Sequence, residues 1–252
     1  MASAWSDESL LELFAAVAEA CGSAVEGMGD RRVPGLRNGQ YGLDLKADAA
    51  ALDLLDRAKV GVLSEESGLR RADAEIVVLL DPVDGSTNAS RRIPWYATSL
   101  CAVDADGPRV ALVRNLATGV TFRAVRGGGA TRDGEPIAPS TVVEIGSAVV
   151  GLSGYPPEHL GWRQFRTLGA AALDLCAVAS GSLDAFIDCS FDAHGVWDYA
   201  GGLLICREAG APVDDALGRP LIVLDADARR TPVASATSGL HDVLVPARLR
   251  WR

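Results

Sequence analysis

Asp81 and Asp84 close an apolar run, Ile76 to Leu80, and are followed by Gly85-Ser86-Thr87-Asn88. Pro82 disfavours helix at Asp81, so the run reads as a buried strand with that carboxylate extended at its end. Asp84 lies one turn further on and can converge on the same volume. Carboxylate oxygens are the ligands that Mg²⁺ prefers. Gly85 lets the backbone approach a ligand closely. Ser86, Thr87 and Asn88 are types that cap a helix start, where unpaired amides bind anions. The combination suits metal-assisted chemistry on a phosphate. Asp-Pro and Asp-Gly are also ordinary turn punctuation; the strand before them and the capping cluster after them favour a site.

Other acids gain weight only in company. Glu65 and Glu66 follow a short strand, and alone they read as a solvated turn. Asp198 opens the apolar stretch Tyr199 to Ile205, and alone it reads as a charge complementing a helix dipole. No motif around His159, His194 or His241 demands a general base. His194 is close to Asp198 in sequence and could border the pocket, but a structural or surface role is the one expected for it.

The elements that must position these residues follow from periodicity. Ser6 to Met28 reads as an amphipathic helix, Gly29 to Gly42 as a Gly/Arg-rich loop, and Ala47 to Lys59 as a second helix. Strands are expected at Val60–Leu63, Ile76–Leu80, Thr98–Val103, Arg109–Arg114 and Val120–Val125, with tight turns that suggest a largely antiparallel sheet. Gly127-Gly128-Gly129 lies between strands and reads as a turn, not a nucleotide loop. Pro136 to Thr141 reads as a linker. The second half alternates: strand Ala148–Leu152, a helix start over Pro157–Arg166, helix Leu168–Ala179, strand Ala185–Asp188, helix Trp197–Ala209, strand Val233–Ala236 and a closing helix Gly239–Leu249. This divides the chain into an N-terminal α+β part, residues 1–140, with most of the acids, and a C-terminal α/β part, residues 141–252, with Asp198.

The 252 residues are 48% hydrophobic, enough for a large core. No apolar run approaches the roughly 20 residues that span a bilayer, and Met1 to Glu8 lacks the basic start and apolar core of a signal peptide. The five cysteines are scattered and form no CxxC pair, which suits reduced thiols in a cytoplasmic protein. A net charge of −9 argues against nucleic acid as a partner. It also opposes an anionic substrate, unless divalent cations dominate the local field.

Ser64-Glu65-Glu66-Ser67, then Asp81 to Asn88, then Trp197-Asp198-Tyr199-Ala200-Gly201-Gly202 with Glu208-Ala209-Gly210 together resemble the inositol monophosphatase family. The resemblance covers nearly the whole chain and implies a layered αβαβα sandwich. It implies Mg²⁺-dependent, lithium-sensitive hydrolysis of a small phosphorylated metabolite, with two or three ions per site, in a homodimer. By motif, Glu65, Asp81 and the carbonyl of Val83 would hold one ion, and Asp81, Asp84 and Asp198 a second. Ser86, where the family often has Thr, would orient the attacking water with Glu65. The amides of Gly85 and Ser86 would hold phosphate oxygens, and Gly169, Ala170 and Asp188 would line the substrate pocket. The implied chemistry is in-line attack of activated water on phosphorus, without a covalent enzyme intermediate.

The departures from the family pattern surround the acids. Ala89 replaces a frequent aromatic, Lys46 a frequent Thr before Asp48, and Arg31, Arg32 and Arg37 occur in a loop that often carries a lysine. Phe191 to Gly195 looks like a small insertion. Inositol-1-phosphate is the leading substrate; fructose-1,6-bisphosphate, histidinol phosphate and a 3′-phosphonucleotide are alternatives. A bisphosphate would need a further basic clamp, for which Arg163 and Arg166 are the nearby pair in sequence. A non-catalytic, metal-binding regulatory homologue is the reading from another class, disfavoured because every carboxylate is in place.

Overall fold

The computed structural model describes residues 5–37 and 39–251. Helix α1, Asp7–Glu26, starts where Ser6 Oγ accepts the Ser9 amide at 3.1 Å, and buries Leu10, Phe14, Val17 and Cys21 along one stripe. Helix α2 spans Gly42–Ala58 and starts before the expected Ala47, because the Asp44 carboxylate accepts the Tyr41 amide at 2.8 Å and caps an earlier turn.

Strands β1 (Gly61–Ser64), β2 (Gly68–Arg70) and β3 (Val77–Asp84) follow, then helix α3 (Ser86–Arg91). Strands β4 (Ala97–Asp104), β5 (Gly107–Asn115), β6 (Thr121–Val125), β7 (Gly129–Arg132) and β8 (Glu135–Pro136) complete an eight-stranded sheet ordered β2-β1-β3-β4-β5-β6-β7-β8. Every pair is antiparallel except β1 and β3, which run parallel with Ser64 beside Leu80. β3 is buried throughout and continues past Leu80 to Asp84, with a register shift against β4 between Asp81 and Asp84.

The second half contributes β9 (Val149–Ser153), β10 (Gln164–Arg166), α4 (Ala171–Ala179), β11 (Ala185–Asp188), α5 (Val196–Ala209), β12 (Val213–Asp215), β13 (Pro232–Ser235) and α6 (Ser238–Leu249). Its five-stranded sheet is ordered β10-β9-β11-β13-β12. Helices α1 and α2 cover one face of the larger sheet, α4 and α5 fill the space between the sheets, and α6 covers the outer face of the smaller one. This is the layered αβαβα arrangement. The middle layer is tight: a Cβ on Gly201 would stand 2.7 Å from Ser99 Oγ, and one on Gly202 would stand 2.5 Å from Leu175 Cβ. These two glycines let α5 pass between β4 and α4.

The helix expected over Pro157–Arg166 does not form. Pro156-Pro157 and the positive φ of Gly161 interrupt it, and the Arg163 and Gln164 amides both turn to Ala148 O, at 2.9 and 3.2 Å, to start β10 parallel to β9. The glycine run at 127–129 is a turn, as expected. Glu208 holds it, its carboxylate accepting the Gly127 and Gly129 amides at 2.9 and 3.0 Å. All five cysteines are free thiols. Among the described residues, no helix is long and apolar enough to cross a membrane.

Candidate metal centre and active site

The parallel pairing of β1 with β3 sets the geometry. The ladder's last pair is Ser64 beside Leu80, and the Glu65 amide extends it by donating to Leu80 O at 3.2 Å. Glu65 therefore lies next to Asp81, although fifteen intervening residues, 66 to 80, separate them in sequence. Asp198 joins them from the first turn of α5. One carboxylate oxygen from each of Glu65, Asp81 and Asp198 lies within 4.8 Å of the others.

Buried polar groups fix these acids. Asp81 Oδ1 accepts the Val83 amide at 3.0 Å, and Thr98 Oγ1 donates to Pro82 O at 2.8 Å, which locks the Asp81-Pro82-Val83 bend against β4. Below the Glu65 loop, Ser64 Oγ donates to Asp48 Oδ1 at 2.6 Å and accepts the Glu66 amide at 3.2 Å. Asp48 thus organises the Ser-Glu-Glu-Ser turn. On the other side, Arg37 Nη2 donates to Glu66 Oε2 at 2.5 Å and to Glu66 O at 3.2 Å, and Gln40 donates to the same carboxylate.

Asp84 is placed differently. Its carboxylate accepts the Ala171 and Ala172 amides, at 3.1 and 2.7 Å, at the start of α4. It is close enough to Asp198 to feel its charge but lies outside the triplet of Glu65, Asp81 and Asp198. Gly85 has φ 83°, and a Cβ there would meet Gly169 O and Trp95 O at 3.0 Å. Backbone sign and protein packing both require glycine at this position. Asn88 Nδ2 donates to Trp95 O and Leu168 O, at 2.8 and 2.7 Å, tying the motif to the 168–170 segment. Gly169 and Ala170 thereby stand against Gly85. Ser86 lines a cavity of about 300 Å³ with Arg37, Gln40, Asp44, Glu65 and Glu66.

Like charges crowd this volume. Burial, then the charges of Glu65, Asp84 and Asp198, hold the Asp81 carboxyl well above the usual range. Burial and Asp198 push Asp84 up to about 8 against the lowering effect of the Ala172 amide. Glu65, although part of it meets solvent, is pushed up to about 8 by the protein atoms packed around its carboxyl and by Asp198, Glu66 and Asp44. Asp44 is pushed up to about 7, chiefly by burial, and its Oδ1 has no partner among the described residues. Carboxylates that face one another without a cation are what a divalent ion relieves, and an all-oxygen donor set suits Mg²⁺ rather than a metal held by thiolate or imidazole.

Asp188 is fully buried, with Oδ1 on the Ser190 amide at 2.9 Å and Oδ2 without a partner among the described residues. Burial pushes it up to about 6. His194 does not lie on the surface: its side chain is 15% exposed, with Nδ1 3.1 Å from Asp198 Oδ2 and Nε2 3.9 Å from Asp188 Oδ1. Burial would lower its pKa, but the carboxylates of Asp198, Asp188 and Asp84 outweigh burial and raise it to about 9. Sequence reasoning set His194 near Asp198 without this contact, and it missed Asp44 and the anchoring roles of Arg37 and Gln40. Asp44 had one local signal, an acid three residues after the residue it caps; the contacts of Arg37 had none.

Residues 43–250 match the model of the inositol monophosphatase family. The chain is 35% identical over 207 residues to the fructose-1,6-bisphosphatase/inositol-1-monophosphatase of Archaeoglobus fulgidus, covering 80% of this chain and 81% of that protein. It is 31% identical over 246 residues to the bifunctional NADP phosphatase/NAD kinase of Methanocaldococcus jannaschii, covering 81% of this chain and 43% of that protein. In fold it matches a Pyrococcus horikoshii protein described as having similarities to inositol-1 monophosphatase, with a TM-score of 0.86 and 24% identity over 96% of this chain and 98% of that one.

Proposed function

The chain belongs to the inositol monophosphatase family, a family of phosphoric monoester hydrolases, and from that premise we propose that it hydrolyses inositol-1-phosphate to inositol and phosphate with Mg²⁺ bound. The observation that carries this reading is the convergence of Glu65, Asp81 and Asp198 within 4.8 Å. Glu65, Asp81 and the Val83 carbonyl hold one ion in this reading, and Asp81, Asp84 and Asp198 another. Bound Mg²⁺ supplies a more acidic water and offsets charge on the phosphate. The chain's own groups do the rest. Glu65 and the Ser86 hydroxyl orient the water for attack in line with the leaving oxygen, and Glu65 takes its proton. The amides of Gly85 and Ser86 bind phosphate oxygens. Gly169 and Ala170 line the pocket for the alcohol. By motif, Asp188 belongs to that pocket as well.

Fructose-1,6-bisphosphate is the second substrate to weigh, because the Archaeoglobus fulgidus relative is named for both activities and Arg37 stands at the rim of the cavity. The reading extends to inhibition by Li⁺, a homodimer and a cytoplasmic location. Phosphate release in Mg²⁺ from inositol-1-phosphate, fructose-1,6-bisphosphate, histidinol phosphate, phosphoadenosine phosphate and NADP⁺ tests it. Inositol-1-phosphate is expected to give the highest kcat/KM, with loss of release on chelation and on Li⁺ titration. Silence across the panel would instead favour a regulatory, non-catalytic homologue. Sizing chromatography checks the dimer.

A further inference from the structure

Two donors fall on a single oxygen of Asp198. The Gly195 amide and His194 Nδ1 both reach Oδ2, at 2.9 and 3.1 Å. Oδ1 takes no donor among the described residues. An ionised carboxylate only accepts, so Nδ1 carries a proton and donates. On the other side of the ring, Nε2 lies 3.1 Å from Ser153 Oγ at the end of β9. The backbone is held as well: His194 and Arg230 exchange hydrogen bonds of 3.3 and 2.9 Å. Two residues earlier, Asp192 pairs with Arg219 at 2.7 Å, and its amide donates to Thr231 Oγ1 at 3.2 Å. The Phe191–Gly195 segment is therefore a fixed bracket whose histidine is braced at both nitrogens.

We propose that His194 is a positioning residue for the metal centre. Its donation to Oδ2 holds the Asp198 carboxylate in one rotation, so that Oδ1 alone is presented to the divalent ion. Ser153 acts one step further out by fixing the ring. The inference rests on the metal-dependent reading above and adds to it a residue outside the family motifs. Hydrogen-bond partners of a ligating carboxylate are typically worth about 10–100-fold in metal affinity.

The test is calorimetric titration of Mg²⁺ into the metal-free full chain, for wild type, His194→Ala, His194→Gln, His194→Asn and Ser153→Ala. Asn places an amide nitrogen close to where Nδ1 stands, whereas the Gln amide reaches toward Ser153. His194→Ala and His194→Gln are expected to weaken Mg²⁺ binding about 10–100-fold. His194→Asn should stay close to wild type, and Ser153→Ala should lie between. Thermal melts of the metal-free proteins identify any variant that fails to fold, and His194→Asn against His194→Gln keeps the comparison decisive if His194→Ala does. KM for the phosphoester, measured at saturating Mg²⁺, should move far less than the Mg²⁺ requirement. Wild-type binding with all variants equal to it overturns the proposal. Absence of Mg²⁺ binding in the wild type overturns the metal-dependent reading and the proposal together.

Discussion

The centre and the rim of the site are held by different forces. At the centre, Glu65 and Asp81 are placed by a strand ladder: β1 and β3 run parallel and in register, and each acid directly follows the ladder's last pair, Ser64 and Leu80. At the rim, Arg37 and Gln40 are placed by side-chain bonds from a segment with little regular structure. Ladder placement tolerates almost no freedom, since register in a buried sheet is fixed by which residues fit inside. Side-chain placement can be rebuilt by a few substitutions. A fold built this way keeps its ion chemistry constant while the alcohol it accepts changes.

The sharpest way to break that contrast is to change a central acid. Asp81→Asn is expected to cut Mg²⁺-dependent phosphate release at least about a hundredfold. It should also raise the melting temperature of the metal-free protein, because it removes an acid whose ionised form is opposed by burial and by Glu65, Asp84 and Asp198. Asp84→Asn should lose activity on a similar scale; full retention would contradict its role as a ligand of a second ion.

The next effect is on pH. Asp84 and Glu65 titrate near 8 in the metal-free fold, above their unfolded values. The folded state then binds more protons than the unfolded one, so stability is present at low pH and falls as pH rises through about 8. Melting of the metal-free protein is expected to drop between pH 5 and pH 8 by several degrees, given about 2–4 °C per kcal/mol for a chain of this size. Saturating Mg²⁺ should restore more at pH 8 than at pH 5. A metal-free Tm that climbs over this range would contradict the charge crowding.

Asn88→Ala probes the seam between centre and rim. It strands the Trp95 and Leu168 carbonyls, so an unfolding cost of about 1–3 kcal/mol is expected in denaturant melts. Arg37→Gln is the smallest change. Its pair with Glu66 is 57% exposed on the arginine side, so stability should move by about 0–1 kcal/mol. Its expected signature is a higher KM for fructose-1,6-bisphosphate with little change for a monophosphate, read by steady-state kinetics.

The same contrast explains what could be read from residues alone. The acids at the centre were legible because each ends or begins a strongly patterned element: Ile76–Leu80 before Asp81, and the apolar turn of α5 after Asp198. Helix α1 was legible for the same reason. The parallel pairing of β1 with β3 was not, since a four-residue strand carries no signal of direction. β10 was read as helix because Gln164–Arg166 is too short to show period two, and its pairing depends on Ala148, far back in the chain. The nearness of His194 to Asp198 was legible, but the ring orientation that makes it a contact depends on Ser153 and Arg230, far off in sequence.

The claim everything else depends on is that Glu65, Asp81 and Asp198 form one cation site. Crystals soaked in Mn²⁺ and measured at its absorption edge address it directly. The account predicts an anomalous peak among the three carboxylates, with oxygen contacts of about 2.0–2.2 Å as expected for a small hard ion, lost in Asp81→Asn. An anomalous map without a peak there, or with its peak on acids elsewhere, would contradict it.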